Sequence, residues 1–250
     1  MISIDLTGKV AVVTGGIQGL GKATASMFLR AGANIAVNYF DDPAGVSRQR
    51  AEDAAREWGD AALVQVADVR SRSEMTAFFE TAKARFGRID FLVNNAAILR
   101  DRSVKKLTDE EWDAVIETNL SAVFKVSQTV LPFLEDGGRI VNMASISGVL
   151  GLFGQANYSS AKAGVMALTK VLSRELASRK INVNAVAPGV VLTEMGDSIP
   201  PAAREQMLGQ IPMKRFGTPD EIASVILYLC SDLSSYVNSQ TIHVNGGWWS

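Results

Sequence analysis

Tyr158 and Lys162 are the two side chains of this sequence best suited to acid–base chemistry. They stand four residues apart, about one helical turn, so on a helix both lie on the same face. An ammonium beside a phenol favours the phenolate and should lower the tyrosine pKa from its usual value of about 10. Such a tyrosine can exchange a proton near neutral pH. Ser145, thirteen residues before Tyr158, could bond the same reacting oxygen.

A glycine-rich turn is the second feature with chemical potential. The sequence TGGIQGLG, from Thr14 to Gly21, directly follows the apolar run VAVV. Glycine lets the backbone approach a pyrophosphate, and a following helix offers its N-terminal amides. A turn that binds nothing is the alternative, because the spacing is G-x-x-x-G-x-G and not the commoner G-x-G-x-x-G. Taken with the serine, tyrosine and lysine, the turn predicts hydride transfer beside a nicotinamide.

Other reaction classes lack the residues that they need. The only histidine, His243, stands in the last strand candidate, and no G-x-S-x-G motif is present, which disfavours a Ser-His-Asp hydrolase. The sequence has no H-E-x-x-H, no C-x-x-C and no G-x-x-x-x-G-K-[ST]. We therefore expect neither a transition-metal site nor a phosphate-transferring P-loop.

Length and composition suit a globular enzyme. The chain has 250 residues, 47% hydrophobic and 20% charged, enough for one large α/β domain or two small ones. A net charge of -1 gives no general attraction to nucleic acid or to an anionic membrane. No apolar run reaches the roughly 18 residues of a membrane span, and the N-terminus has no secretory pattern. With a single cysteine, Cys230, in an apolar run, we expect a reduced, cytoplasmic setting.

Short apolar runs alternate with amphipathic segments along the chain. The strand candidates are Val10–Thr14, Asn34–Asn38, Ala62–Ala67, Phe91–Asn94, Arg139–Met143, Ile181–Val186 and Thr241–Val244. The helix candidates are Leu20–Ala31, Val46–Trp58, Ser73–Phe86, Asp109–Leu134, Asn157–Ala177 and Pro219–Cys230. Continuous apolar runs are typical of parallel strands covered on both faces, so this rhythm predicts a doubly wound α/β sheet. Ser145 would stand at the carboxyl end of a central strand, where such sheets bind ligands.

Two segments depart from this rhythm. Asn119 lies inside the long helix candidate Asp109–Leu134, where it is either solvent-exposed or marks a local break that holds water. Thr108 and Glu111 predict a capping box at the start of that helix. From residue 190 to 216, prolines and glycines interrupt the pattern, and we expect a substrate lid there.

The order and spacing of these motifs resemble those of the short-chain dehydrogenases/reductases over essentially the whole chain. The matching pieces are TGGIQGLG, Asp68-Val69, NNAA from Asn94 to Ala97, Asn119 in ETNL, Ser145, YSSAK from Tyr158 to Lys162, Pro188-Gly189 with Thr193, and the C-terminal VNGG. The resemblance implies one Rossmann domain, 1–250, with seven strands and helices on both faces. In the implied tetrad, Tyr158 transfers the proton and Ser145 holds the substrate oxygen. Lys162 binds the nicotinamide ribose, and Asn119 holds a relay water.

The same resemblance implies the residues that bind NAD or NADP. Asp68 would contact the adenine with Val69 beside it, and Thr193 would contact the carboxamide end. The full set is Gly15, Gln18, Gly19, Leu20, Asn38, Tyr39, Asp68, Val69, Asn95, Ala96, Ala97, Tyr158, Lys162, Pro188, Gly189, Val191 and Thr193.

The choice between the two cofactors depends on the end of the second strand. A carboxylate there favours the free ribose hydroxyls of NAD, and an arginine favours the 2′-phosphate of NADP. This chain has the uncharged run Asn38–Phe40, followed by Asp41 and Asp42. The two acids would disfavour a 2′-phosphate, so we expect NAD. Arg48 or Arg50 could reach back from the next helix and reverse that preference.

Within the family, the chain resembles 3-oxoacyl-carrier-protein reductases and glucose-dehydrogenase-like members, through GQANYSSAKAG and IPMKRFGTPDEIA. The turn at residues 134–138 contains Glu135 and Asp136, which would repel an acidic carrier protein at short range. We therefore expect a free secondary alcohol or ketone, with a carrier-bound substrate as the alternative. The expected substrate contacts are Ser147, Phe153, Gln155, Val190 and Met195, with Ile98, Leu99, Ile146 and Leu152 as further pocket positions.

Two other classes of protein use the same fold. One is a non-catalytic dinucleotide-binding protein, which has no need of both Ser145 and Tyr158. The other is a lyase or epimerase that uses the same tyrosine. The resemblance also implies a homotetramer, with the two longest helix candidates at one interface. Apolar residues on more than one face of those helices support this expectation: Val115, Val123, Val126, Val130, Val165, Leu168 and Leu172.

Overall fold

The apolar runs form the strands of one parallel sheet. A computed structural model describes residues 3–193 and 201–249. Its strands are β1 (Val10–Thr14), β2 (Asn34–Tyr39), β3 (Ala62–Val66), β4 (Ile89–Asn94), β5 (Leu134–Met143), β6 (Asn182–Pro188) and β7 (Thr241–Val244). They pair in parallel in the order β3-β2-β1-β4-β5-β6-β7. The predicted seven-stranded, doubly wound sheet is confirmed, and each strand candidate overlaps the strand that forms.

Helices connect the strands, and polar side chains fix where several of them begin. The helices are α1 (Gly19–Arg30), α2 (Val46–Trp58), α3 (Arg72–Phe86), α4 (Asp109–Ile116), α5 (Ala122–Val130), α6 (Ser147–Leu150), α7 (Ala156–Glu175), α8 (Pro201–Gln210) and α9 (Pro219–Leu229). At the start of α4, Thr108 and Glu111 each bond the other's backbone amide, so the predicted capping box is confirmed. Thr218 and Glu221 form a second capping box at the start of α9.

Alternate residues of the strands feed two buried cores, one on each face of the sheet. Val13 of β1 packs in a cluster with Phe28 of α1 and Ile226 of α9. Its neighbour Val12 belongs to the opposite cluster, which contains Phe78 of α3. Successive side chains of a strand point to opposite faces, so both must be apolar when helices cover both sides. The resulting platform holds the loops at the carboxyl ends of the strands.

The long helix predicted over Asp109–Leu134 is wrong. The chain forms α4, then a π-helical turn at Glu117–Ser121, then α5, which ends at Val130. Leu134 already belongs to β5, where it pairs with β4. Pro132 explains the early end, because it has no backbone amide with which to continue the helical hydrogen bonds. The π turn is the local break predicted at Asn119.

The segment from residue 190 to 216 contains more regular structure than its sequence predicts. Helix α8 occupies residues 201–210, and its proline stands at the first position, where a missing amide costs no helical bond. The two ends of the segment are bonded to each other, because Leu192 N donates to the Gly217 carbonyl and Gly217 N donates to the Val190 carbonyl, both at 3.0 Å. Residues 194–200, which include Met195, lie outside the described residues. The lid stays a prediction.

The apolar residues that suggested a tetramer are mostly buried inside one chain. Val115, Val126 and Val165 are at most 1% exposed and belong to the core, so they form no second apolar face. Phe124 and Val171 are the large apolar residues that α5 and α7 do expose, at 44% and 50%. The homotetramer stays a prediction, and the exposed side chains of Phe124 and Val171 support it better than the buried valines do. Among the described residues, every helix is too short or too polar to cross a bilayer.

Candidate active site

The glycine turn lies between β1 and α1 and has the form of an anion site. Gly15 and Gly19 have φ angles of 63° and 52°, in the left-handed region that favours glycine. A Cβ added at Gly21 would stand 2.3 Å from the Gly15 carbonyl oxygen, so a side chain has no room there. Gln18 makes no side-chain capping bond, and the first turn of α1 has no acidic residue. Its amides therefore remain suited to a pyrophosphate, and the turn fits NAD(P).

Hydrogen bonds join this turn to the end of β4. The hydroxyl of Thr14 accepts from the amides of Asn95 at 2.9 Å and Ala96 at 3.0 Å. The side chain of Asn95 donates to the carbonyls of Thr14 at 2.9 Å and Gly15 at 3.2 Å. Asn95 thus fixes the glycine turn against the next strand, while Ala97 lies partly exposed two residues on. These contacts hold the predicted cofactor residues of the glycine turn next to those of the loop after β4.

The predicted adenosine-binding residues meet beyond the end of β2. Asn38 donates its amide to the Ala67 carbonyl at 2.7 Å, and its buried Oδ1 finds no partner among the described residues. Burial acts to raise the pKa of Asp68, but hydrogen bonds from Arg70 hold it below its usual value. Arg70 also lies over the Phe40 ring, 5.4 Å from its centroid. An adenine stacked here would meet this pair, so Arg70 would be a contact that the motifs do not reveal.

The charges that should choose between NAD and NADP are arranged differently from the expectation. Asp41 forms an ion pair with Arg48. Asp42 accepts from the Ser47 amide at 2.6 Å, and hydrogen bonds with Ser47 lower its pKa to about 2. Both acids are therefore engaged at the start of α2 and not at the glycine turn. Arg50 donates a hydrogen bond to the Gln18 side chain, which places its positive charge at that turn.

Ser145, Tyr158 and Lys162 come together above the carboxyl end of β5. Ser145 follows that strand, and Tyr158 and Lys162 share a face of α7. The hydroxyl of Ser145 lies near enough to the Tyr158 phenol to lower its pKa, and it accepts from the Ser147 amide at 3.1 Å. Lys162 is 2% exposed and donates to the Met143 carbonyl at 2.6 Å. Its Nζ lies 5.6 Å from the centroid of the Tyr158 ring.

The predicted fall in the tyrosine pKa is wrong for this structure. Tyr158 keeps part of its surface exposed, but burial of its phenol raises the pKa to about 12. The Ser145 hydroxyl lowers the pKa and Asp101 raises it, both by less than burial does. Burial also lowers the pKa of Lys162 to about 8. At neutral pH the phenol is therefore protonated, and it is better suited to donating a proton than to accepting one.

Asn119 is fully buried in the π turn, so the solvent-exposed interpretation is wrong. Its side-chain oxygen accepts from the Ile98 amide and its amide donates to the Ile98 carbonyl, both at 2.9 Å. The side chain thus satisfies both backbone groups of Ile98, in the loop after β4. π turns often occur at functional sites, because the widened turn exposes backbone groups. A relay water at Asn119 stays a prediction.

The loop after β6 closes the other side of the predicted cofactor site. The Pro188 carbonyl accepts from the Ile146 amide at 3.0 Å, which ties this loop to the one that contains Ser145. Gly189 donates to the Val244 carbonyl at 2.9 Å. A methyl group added at Gly19 would stand 3.9 Å from Thr193 Cγ2, so Thr193 reaches over the glycine turn. The nicotinamide-side and phosphate-side residues therefore face one cleft.

The predicted substrate contacts divide into three groups. Ser147 is buried at the start of α6, where it supports Ser145. Phe153 is 94% exposed, and Gln155 donates to Asp101 at 2.8 Å, so both lie on the rim. Val190 is partly buried beside the cleft. Their contacts with a substrate stay predictions.

The acidic turn that seemed to exclude a carrier protein lies far from this site within one chain. Glu135 and Asp136 are at the amino end of β5, whereas Ser145 follows its carboxyl end. Regular pairing of β5 starts at Arg139, and the six steps from there to Ser145 span about 20 Å, beyond the screening length of about 8–10 Å. Both acids are also paired, with Lys83 at 2.6 Å and Arg179 at 2.7 Å. The turn gives no reason to reject a carrier-bound substrate.

Comparison with known proteins identifies the family. The family model described as enoyl-(acyl carrier protein) reductase matches residues 15–249. A 3-oxoacyl-[acyl-carrier-protein] reductase FabG of Thermotoga maritima is 43% identical over 247 residues, 97% of this chain and 98% of the relative. The FabG protein of Staphylococcus aureus is 44% identical over 245 residues, 96% and 97% of the two chains. The chain belongs to the short-chain dehydrogenases/reductases.

The solved structures support the same assignment. A short-chain dehydrogenase/reductase of Brucella melitensis, titled a glucose/ribitol dehydrogenase, superposes with a TM-score of 0.93 at 33% identity, covering 100% of both chains. As a short-chain dehydrogenase/reductase, the protein is an oxidoreductase that uses NAD(P). The glycine turn and the residues bonded to it would hold that cofactor, and Ser145, Tyr158 and Lys162 would face its reactive end.

Proposed function

We propose that this protein reduces the ketone of a 3-oxoacyl thioester to a secondary alcohol, with NADPH as the reductant. The observation that supports it most is that Ser145, Tyr158 and Lys162 lie together beyond the carboxyl end of β5, with Lys162 Nζ 5.6 Å from the centroid of the Tyr158 ring. Bound NADPH supplies the hydride. Ser145 donates a hydrogen bond to the ketone oxygen and orients it. Tyr158 gives its proton to that oxygen as negative charge develops there.

Lys162 has two tasks in this proposal. The Met143 carbonyl accepts a hydrogen bond from the Lys162 ammonium and holds the ammonium near the phenol. A positive charge 5.6 Å from the centroid of the Tyr158 ring stabilises the phenolate left after proton transfer. It would also bond the ribose hydroxyls that the cofactor brings to this edge of the sheet. Asn119 would hold the water that passes a replacement proton to the Tyr158 phenolate.

The proposed substrate class rests on the named relatives and on the position of the acidic turn. Relatives at 43% and 44% identity are named for reduction of 3-oxoacyl groups on acyl carrier protein. The paired acids at the far end of β5 do not oppose such a substrate in one chain. The expectation of a free alcohol or ketone therefore gives way to a thioester.

The substrate test compares one acyl group on several carriers. Acetoacetyl groups on acyl carrier protein, coenzyme A and N-acetylcysteamine would be offered with NADPH, beside 2-pentanone as a ketone without the thioester. We expect kcat/KM for the thioesters to exceed that for the ketone at least tenfold. Equal values would return the substrate to the simple ketones, and reduction of crotonyl thioesters alone would indicate attack on a carbon–carbon double bond.

The proposed preference for NADPH rests on the position of Arg50. A 2′-phosphate carries close to two negative charges and needs a guanidinium or ammonium within reach. Arg50 extends from α2 to the Gln18 side chain, beside the amides expected to bind phosphate. The acids that argued for NAD are engaged elsewhere, Asp41 with Arg48 and Asp42 with the backbone of the turn before α2. A guanidinium therefore lies beside the glycine turn.

Replacing Arg50 with alanine should weaken NADPH binding by about 10–100-fold and leave NADH binding within threefold, because a charge-assisted hydrogen bond contributes about 1.5–3 kcal/mol. Cofactor fluorescence titration measures both dissociation constants without turnover. Arg48→Ala is the matched control, since Arg48 lies on the same helix but pairs with Asp41. Equal loss for both cofactors in Arg50→Ala, or tighter NADH than NADPH binding in the unmodified protein, would contradict the assignment.

A further inference from the structure

Asn157, the residue before Tyr158, is a buried polar side chain that the reaction itself does not use. It stands in the first turn of α7 and is 0% exposed. The first amides of a helix have no partner inside it and must be satisfied from outside. Gln155, which precedes the helix, makes no side-chain capping bond. A buried amide side chain in this position must therefore satisfy neighbouring backbone groups.

The Asn157 amide bonds three backbone groups from three segments. Its Oδ1 accepts from the Tyr158 amide at 2.8 Å, which satisfies one of the unpaired donors of α7. Its Nδ2 donates to the Arg100 carbonyl at 3.1 Å and to the Glu111 carbonyl at 3.3 Å. One side chain thus joins the start of the catalytic helix, the loop after β4 and helix α4.

The loop reached by Asn157 is the wall of the site opposite Ser145. Asn119 bonds that loop at Ile98, two residues before Arg100. On the far side of the Asn157 contact, the Arg102 amide donates to the Gly154 carbonyl at 2.9 Å. Residues 98–102 are therefore fixed along their length, and Asn157 is the residue that bonds both this wall and the backbone amide of Tyr158.

We propose that Asn157 is a positioning residue, which sets the Tyr158 hydroxyl relative to Ser145 and to the wall formed by residues 98–102. The inference rests on the proposed carbonyl reduction by this site. Reacting groups must be held within a few tenths of an ångström, and a displacement of about 1 Å can cost about a hundredfold in rate. Without the Asn157 amide, the first turn of α7 has a free amide and two carbonyls lose their donor. Tyr158 then moves with the frayed turn.

The test compares Asn157→Leu with Asn184→Leu. Asn184 is also buried, and it joins backbone segments in the same way, donating to the Val237 carbonyl at 2.8 Å and accepting from the Gln240 amide at 3.0 Å. Both variants should lose thermal stability. Only Asn157→Leu should lower kcat, by about 10–100-fold, with the NADPH dissociation constant within threefold. Asn157→Ser keeps a small neutral acceptor for the Tyr158 amide and should recover part of kcat, and it replaces the leucine variant if that fails to fold.

Two readouts separate positioning from general destabilisation. In a Tyr158→Phe background, Asn157→Leu should change the residual rate by less than threefold, because it acts through the hydroxyl already removed. Equal loss of kcat in both backgrounds, or in Asn184→Leu at matched stability, would overturn the proposal. Hydrogen exchange needs no substrate: Asn157→Leu should speed exchange in peptides covering 98–103 and 156–160. If the unmodified protein reduces no thioester, the proposed function fails, and unchanged exchange would overturn the Asn157 inference separately.

Discussion

Replacing Tyr158 with phenylalanine should lower turnover by about 10²–10⁴-fold while NADPH binding changes less than threefold. The change removes one hydroxyl and keeps the ring over which Lys162 lies. With a pKa raised to about 12 by burial, that hydroxyl is protonated at neutral pH and would be the proton donor of the proposed reaction. General acid catalysis by a placed side chain contributes an effect of this size. Steady-state reduction of an acetoacetyl thioester measures the rate, and cofactor fluorescence measures binding.

A matched control exists for this substitution. Tyr236 is fully exposed, so Tyr236→Phe removes the same atom far from any buried site and should leave the rate unchanged. If Tyr158→Phe kept more than a tenth of the original rate, Tyr158 would not be the proton donor. Ser145, whose hydroxyl lies near the phenol, would then be the next side chain to replace.

Lys162→Ala should lower the rate by about a hundredfold and weaken cofactor binding as well. A unit charge about 5–6 Å from the phenolate contributes about 3 kcal/mol at an effective dielectric constant of about 20, which is roughly a hundredfold. Lys162 is also the side chain expected to bond the ribose, so affinity should fall with rate. Lys170→Ala, an exposed position on the same helix, is the control. An unchanged dissociation constant in Lys162→Ala would argue against ribose contact.

The same variant makes a prediction about pH. Burial lowers the pKa of Lys162 to about 8 and raises the pKa of Tyr158 to about 12, so the lysine loses its charge before the phenol loses its proton. Reduction leaves a phenolate that the ammonium stabilises, so the reduction rate of the unmodified protein should fall as pH rises through about 8. Lys162→Ala has no ammonium to lose, so its lower rate should not change across that range. The same fall through pH 8 in Lys162→Ala as in the unmodified protein would contradict a stabilising role for the ammonium.

The sequence predicts the sheet well because its signals are local. Each buried strand is a short apolar run between turn residues, and β1 and β7 have the predicted ends. Ser145, Tyr158 and Lys162 were also placed together, because a strand end and one helical turn determine their positions. Helix α8 was missed, since proline at a first helical position looks like a helix breaker when sequence alone is read.

The charges could not be predicted, because they depend on contacts between distant segments. The distance of Glu135 and Asp136 from the site follows from β5 starting at Leu134. The contact between Arg50 and Gln18 joins residues 32 positions apart. The raised pKa of Tyr158 comes from burial, which no spacing of tyrosine and lysine reveals. One feature of the sequence points to the role of Asn157: it is an asparagine in the first turn of a predicted helix, directly before Tyr158.

The π turn at Glu117–Ser121 makes this part of the chain sensitive to length in one direction. A π turn holds about one residue more than an α turn, so deleting one residue here leaves an ordinary α-helix, and α5 keeps Val123 and Val126 on the core side. An α-helix advances by about 100° for each residue, so adding one residue turns α5 by about that angle and takes both valines out of the core. A deletion costs the contact between Asn119 and Ile98, whereas an insertion costs the packing of α5. Insertions between residues 117 and 121 should therefore damage folding far more than deletions.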